Sequence, residues 1–281
     1  MIATLNLELS GEEAMIKAIV SGAAGRMGGR IIHMLEGVEG ITLAAAVEQP
    51  DHPAVGKEVG EVVGLPAKGV KISGSLAKVL SQGDVLIEFT HPEPSLTHLH
   101  AVADAGKAMV MGTTGFSPSQ LAEVRALGAR TRLVFAPNMS VGVNLMFRVV
   151  ADIARILSSG YDVEIVEAHH RLKKDAPSGT AIKLAQVIAQ ALDRDLEQVG
   201  VYARQGIIGE RTADEIGIQT VRAGDIVGEH TVLFGGMGER LEIIHRAHSR
   251  DNFARGAVRA AQWIVGQAPG LYDMQDVLGL K

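Results

Sequence analysis

Two adjacent histidines, His169 and His170, stand with Arg171, Lys173 and Lys174 in one short stretch, followed at once by Pro177, Ser178, Gly179 and Thr180. An imidazole titrates near neutrality and can give or take a proton, and a lysine can donate one where negative charge develops beside it. His169 and Lys173, four residues apart, are therefore the candidates for proton transfer. The remaining positive charge suits a small ligand with more than one carboxylate. Ser178, Gly179 and Thr180 open an apolar run in which Ile182, Ala185, Ile188, Ala189 and Leu192 share a helical face, and the first amides of a helix point at an anion. A solvated basic loop before a capped helix would have the same composition.

A second cluster suits a nucleotide. Gly22, Gly25 and Gly28 in "GAAGRMG" lie between an apolar β-rich run, "MIKAIVSG", and a helix-like stretch with Met27, Ile31, Ile32 and Leu35. Glycines there allow a tight turn and a close approach to a pyrophosphate at the helix start. Three glycines in a turn can also serve helix packing alone. Glu48, 20 residues after Gly28 at the end of the next strand, is placed to accept hydrogen bonds from a ribose. Gln49 beside it is neutral, whereas a 2′-phosphate favours arginine, and Arg26 keeps that option open. Both NADH and NADPH therefore stand as cofactors. "GTTG" (Gly112, Thr113, Thr114, Gly115) and "APNMS" (Ala136, Pro137, Asn138, Met139, Ser140) follow two later strands at the edge where doubly wound sheets bind ligands, and they are candidates for the nicotinamide side, although taken as isolated loops they read as ordinary turns.

These clusters need a scaffold. Apolar runs at "ITLAAAVEQ", "DVLIEFT", "KAMVMGTT" and "RLVFAPN" alternate with helical stretches, which indicates an α/β doubly wound parallel sheet of Rossmann type. Thr90 and Ser117, each three residues before Glu or Gln with proline next in the first turn, read as capping boxes. His91, His98 and His100 lack nearby ligand spacing and are assigned to packing or surface roles, with no metal. After Asn138, "YDVEIVEAH", "IGIQTVRAGD", "IVGEHTVLF" and "RLEIIHRAH" follow with few long helices between the last three, as in a second α+β domain on an open mixed sheet. "NFARGAVRAAQWIVG" reads as a packing helix, with Trp263 partly buried. The expected domains are residues 1–139 with 250–281 for the dinucleotide and 140–249 for the substrate.

Composition narrows the classes. At 281 residues, two domains are the better expectation. A net charge of −5 argues against nucleic acid or anionic membrane as a partner of the whole surface. The absence of cysteine excludes disulfides and thiol chemistry. The first fifteen residues lack the pattern of a signal peptide, so a cytoplasmic location is expected, with residues 1–13 a flexible extension.

"EIVEAHHRLKKDAPSGTA" (Glu164 to Ala181) resembles the signature of the dihydrodipicolinate reductase family. The likeness continues through "GAAGRMG", "EFTHPE", "GTTGF", "NMSVGVN", "VRAGDIVGEHTVLF", "GERLEIIHRAHSR" and "LYDMQDVL", nearly all the chain after residue 15. The resemblance implies reduction of 4-hydroxy-tetrahydrodipicolinate, with loss of water, by hydride from NADH or NADPH. It implies that Gly22, Ala23, Ala24, Gly25, Arg26 and Met27 hold the pyrophosphate and Glu48 the ribose. By the same likeness Gly112 to Thr114 and Ala136 to Met139 flank the nicotinamide. His169 becomes a proton donor or acceptor and Lys173 a proton donor, while His170, Gly179 and Thr180 contact the substrate carboxylates. It further implies closure of the substrate domain over the cofactor domain, and a homotetramer with residues 140–249 as the oligomerisation domain. Many relatives carry arginine where Gln49 stands, and some where His91 stands, which leaves cofactor preference open. The rival readings are another two-domain nicotinamide dehydrogenase of amino-acid metabolism and a nucleotide-sensing protein without catalysis.

Overall fold

The computed structural model describes residues 15–281, and the extension expected for residues 1–13 lies outside them. In chain order come β1 (Ile16–Ser21), α1 (Arg26–Leu35), β2 (Ile41–Val47), α2 (Val59–Val63), β3 (Ile72–Ser73), β4 (Val85–Glu88), α3 (Pro92–Asp104), β5 (Ala108–Met111), α4 (Pro118–Gly128) and β6 (Arg132–Phe135). Then follow α5 (Val141–Leu157), β7 (Asp162–His169), α6 (Gly179–Ala191), α7 (Leu196–Val199), β8 (Gly200–Val201), β9 (Ile216–Arg222), β10 (Gly228–Gly236) and β11 (Glu239–Ala247). The chain ends with α8 (Asp251–Ile264), β12 (Gly270–Tyr272) and α9 (Met274–Val277). It divides into two compact units. One holds the described residues up to 110 with 116–133 and 261–270, and the other holds 111–115, 134–260 and 271–281.

Seven strands form one sheet in the order β12-β6-β5-β4-β1-β2-β3. β1 runs parallel to both β2 and β4, so successive strands wind outward in opposite directions from β1, as in a Rossmann fold. Every residue of β4 and β5 is buried, as expected of short continuous apolar strands covered on both faces. α1 presents Gly28, Ile31, Ile32 and Leu35 to the interior. Ser117 caps α4 as a full box, its hydroxyl accepting from the Gln120 amide and its amide donating to the Gln120 side chain. Thr90 does not cap α3, in contrast to the expectation. His91 is the N-cap residue without a side-chain bond, and Thr90 donates its hydroxyl and amide to Glu88. Glu88 is fully buried, and an acid with no access to water recruits the nearest donors ahead of a helix end that solvent can serve.

The second sheet has the order β11-β10-β7-β9-β8. β10 is antiparallel to β11 and β7, whereas β9 is parallel to β7 and β8, so this sheet is mixed. Its registers explain where the chemistry sits. Val163 of β7 lies between Ile216 of β9 and Phe234 of β10, and Ile165 lies between Ile218 and Val232. All six are buried in one core with Leu184, Ala185 and Ile188 of α6. Two residues farther along the same face the layer becomes Glu167 with Thr220 and His230, and the parallel pairing then sets His169 beside Arg222. Because side chains alternate across a strand, the layers that carry charge are a direct continuation of the apolar core. α6 packs through Ala181, Leu184, Ala185, Ile188 and Ala189, a stripe turned from the expected one, since Ile182 and Leu192 are only half-buried.

Candidate active site

Glu167 is the centre of the cluster that β7 delivers. It is fully buried, and its Oε2 accepts from His169 Nδ1 at 2.5 Å and Arg222 Nη1 at 2.9 Å. Its Oε1 accepts from Arg222 Nη2 and the Ser178 amide, both at 2.9 Å, and from the Thr220 hydroxyl at 3.2 Å. Burial alone would raise this carboxyl, but the hydrogen bonds from Arg222, His169 and Ser178 hold it down at about 2. The group is therefore an anion at any working pH.

His169 is lowered from its ordinary value, first by burial, which outweighs the favourable Glu167 contact, and further by the charges of Lys173 and Arg222. Its ring meets that of His230 edge-on, centroids 5.2 Å apart. His230 is pushed down to about 3, chiefly by burial, and so stays neutral, with its Nε2 3.0 Å from the Ser178 hydroxyl. A Cβ at Gly228 would stand 3.0 Å from His169 Nε2, so glycine there leaves that nitrogen room. Lys173 lies in the same loop with its ammonium 2.9 Å from Asp175. His170 Nδ1 is buried with no hydrogen-bond partner among the described residues.

Ser178 caps α6, its hydroxyl accepting from the Ala181 amide at 3.2 Å. The amides of Gly179 and Thr180 are the first of the helix and have no intrahelical acceptor to meet. With no acidic residue in the first turn, this end suits an anion. Asn138 donates to the Thr180 hydroxyl at 3.0 Å and accepts from the Ser140 amide, which ties the "APNMS" loop to the α6 start. Ala136 and Met139 are buried and Pro137 is exposed. In "GTTG", Thr113 is buried, Gly112 half-buried and Thr114 exposed.

In the first unit the glycine turn has the shape its spacing suggests. Gly22 has φ of +64°, and a Cβ on Gly28 would lie 2.0 Å from the Gly22 carbonyl, so neither position accepts a side chain without movement. α1 starts at Arg26 with no capping side chain and no acid in its first turn. Ala23 is buried and Ala24, Gly25, Arg26 and Met27 are half-buried or exposed. Glu48 reaches across to accept from the Ala24 amide at 3.1 Å, and from the amide of exposed Gln49 at 3.0 Å. Beside this turn, Glu88 also meets His98 Nδ1 at 2.6 Å. His100 pairs instead with Glu123 at 2.6 Å.

The family model described as dihydrodipicolinate reductase, N-terminus, matches residues 16–139, and that for the C-terminus matches residues 142–278. The chain belongs to the dihydrodipicolinate reductase family. A 4-hydroxy-tetrahydrodipicolinate reductase of Syntrophobacter fumaroxidans is 58% identical over 95% of this chain and 100% of its own length. The enzyme of that name from Syntrophus aciditrophicus is 57% identical over the same shares. Among solved structures, a dipicolinate-bound dihydrodipicolinate reductase from Paenisporosarcina sp. TG-14 superposes with a TM-score of 0.72 at 28% identity, covering 93% of this chain and 98% of its own. The family, together with the Rossmann-type sheet, implies a nicotinamide cofactor. The glycine turn and the open start of α1 fit that group.

Glu167, Arg222 and His230 carry no role in the motifs as read from the sequence, and Ser178 enters there only as part of the helix start. Within "YDVEIVEAH", the run that the sequence offers as a strand, the apolar Ile165 and Ala168 lie on opposite faces. Counting by twos from Ile165 instead sets Glu167 and His169 on the inner face, which is the signal that marks the buried acid.

Proposed function

We infer that the chain reduces 4-hydroxy-tetrahydrodipicolinate to tetrahydrodipicolinate, consuming NAD(P)H and a proton and releasing water, on the route to diaminopimelate and lysine. The observation that carries this reading is the family match over both halves of the chain, with its signature histidine seated on a buried carboxylate beside an anion-receptive helix start. The dinucleotide function is assigned to residues 1–139 with 250–281 and the substrate function to 140–249. Gly22 to Met27 would hold the pyrophosphate. Glu48 would receive the ribose hydroxyls, since a carboxylate that already accepts from two amides keeps lone pairs for more. Gly112 to Thr114 and Ala136 to Met139 would flank the nicotinamide, and exposed, neutral Gln49 leaves NADH and NADPH both usable. When bound, the cofactor supplies hydride.

The residues of the chain supply the rest. The amides of Gly179 and Thr180, with His170 beside them, grip the two carboxylates of the substrate. His169 delivers the proton that quenches the negative charge left on the reduced ring, and Lys173 serves as a second donor. A dianion close to His169 favours the imidazolium, reversing the depression that burial causes in the free protein.

Steady-state oxidation of each cofactor should be followed with enzymatically made 4-hydroxy-tetrahydrodipicolinate, and in parallel with an amino-acid semialdehyde and a hydroxy acid. Turnover confined to the first substrate is expected. Preference for either of the others would transfer the chain to a different dehydrogenase reaction, and no turnover with any would favour a nucleotide sensor.

A further inference from the structure

We propose that Glu167 is the positioning residue of this site: it fixes the neutral His169 ring as the Nδ1–H tautomer, and it allows an arriving dicarboxylate to draw a proton onto that ring. The proposal rests on the reductase reading and adds a residue with a task of its own.

Geometry fixes the tautomer. An ionised carboxylate only accepts, and Glu167 receives five donors on its two oxygens: His169, Arg222 twice, the Ser178 amide and Thr220. The backbone amide and the guanidinium have no alternative protonation state, so the carboxylate is held in place by groups that cannot reverse. Its contact with His169 then requires a hydrogen on Nδ1. Nε2 becomes the free nitrogen, on the side where Gly228 withholds a side chain.

The surrounding charges set the proton balance. Glu167 on β7 favours the imidazolium, while Lys173 of the loop, Arg222 of β9 and burial oppose it. His230 of β10 does not compete, because burial keeps it neutral. Asp175 is engaged with Lys173 and accepts from Arg222 through its carbonyl. Free of ligand, the His169 ring is uncharged at neutral pH. Two carboxylates brought to the α6 tip tilt that balance, so a proton from solvent accompanies binding. Without the Glu167 charge the ring faces two cations alone and stays neutral. Because the same carboxylate holds the Ser178 amide, the helix tip that grips the ligand and the ring that becomes charged share one anchor.

Dipicolinate, a dianion at neutral pH, should be titrated calorimetrically into the NADH-loaded full chain in buffers of different ionisation enthalpy. The wild type is expected to take up most of one proton per site, and Glu167→Gln to take up little or none. Uptake unchanged in that variant overturns the proposal. Failure of dipicolinate to bind the wild type would instead count against the reductase reading. Nitrogen-15 NMR of the wild-type ring needs no variant: Nδ1–H is expected, and an Nε2–H neutral tautomer would overturn the proposal even if Glu167→Gln does not fold. In a folded variant, kcat should drop by roughly tenfold or more, with the alkaline limb of its pH profile displaced to lower pH and NADH affinity unchanged.

Discussion

With one nitrogen of His169 committed to Glu167, only Nε2 remains to exchange a proton, so under the proposed role removal of the ring would cost a step of chemistry and spare the cofactor turn. His169→Gln should lower kcat by about 10²- to 10⁴-fold, the usual worth of general acid catalysis, while NADH affinity by fluorescence titration stays at the wild-type value. Full activity in that variant would remove its proton role. Glu48→Ala should weaken NADH binding by roughly tenfold, the scale of one charge-assisted hydrogen bond, and unchanged calorimetric affinity would contradict the ribose assignment. The roles proposed for His169 and Lys173 can be argued from residue type and spacing, and that of Thr180 from its place at the helix start and from the family resemblance. Glu167 and His230 were not assigned: alternation from Ile165 puts Glu167 on the inner face, but whether that face is covered at its layer, and that His230 stands opposite, depends on the partner strands.

The elements that aim these residues depend on close backbone approach and on buried pairs. Gly28→Ala sets a methyl 2.0 Å from the Gly22 carbonyl, and an overpacking cost of about 1–3 kcal/mol is expected as a lower Tm. Gly37→Ala, where nothing lies within 4 Å, is the control and should be near neutral. Similar melting of the two variants would argue against a close-packed turn. The comparison between Ser117 and Thr90 shows where local pattern reading reaches its limit. Both sequences spell a capping box, yet only Ser117 forms one: Thr90 turns its hydroxyl and amide to the fully buried Glu88, two residues earlier, and His91 stands at the N-cap in its place. Capping preference is worth about 1 kcal/mol and yields to an unsatisfied buried acid, which costs more. The order of the longer strands, in contrast, was readable from apolar runs alone, while the two- and three-residue strands β3, β8 and β12 were not, nor were registers such as His169 beside Arg222, since they pair residues distant in the chain.

For the molecule as a whole, the buried histidines and the buried acid tie stability to pH. His230 titrates at about 3 in the fold against an ordinary 6.5, so between those values the unfolded chain takes up a proton that the folded chain refuses. Stability is full above 6.5 and declines on acidification, by up to about 1.4 kcal/mol per pH unit for a single group. Glu167, at about 2 against an ordinary 4.5, adds loss of the same sign at lower pH. His230→Asn should flatten the fall in denaturant-unfolding free energy between pH 6.5 and 5, whatever its stability at neutral pH, and an unchanged slope would exclude His230 as its source. Among the described residues no helix is long and apolar enough to cross a membrane. The most direct measurement is the mass of the product made from 4-hydroxy-tetrahydrodipicolinate with NADH dideuterated at the nicotinamide C4. Tetrahydrodipicolinate carrying one deuterium is the expected result, and unreacted precursor or an unlabelled product would contradict hydride reduction by this chain.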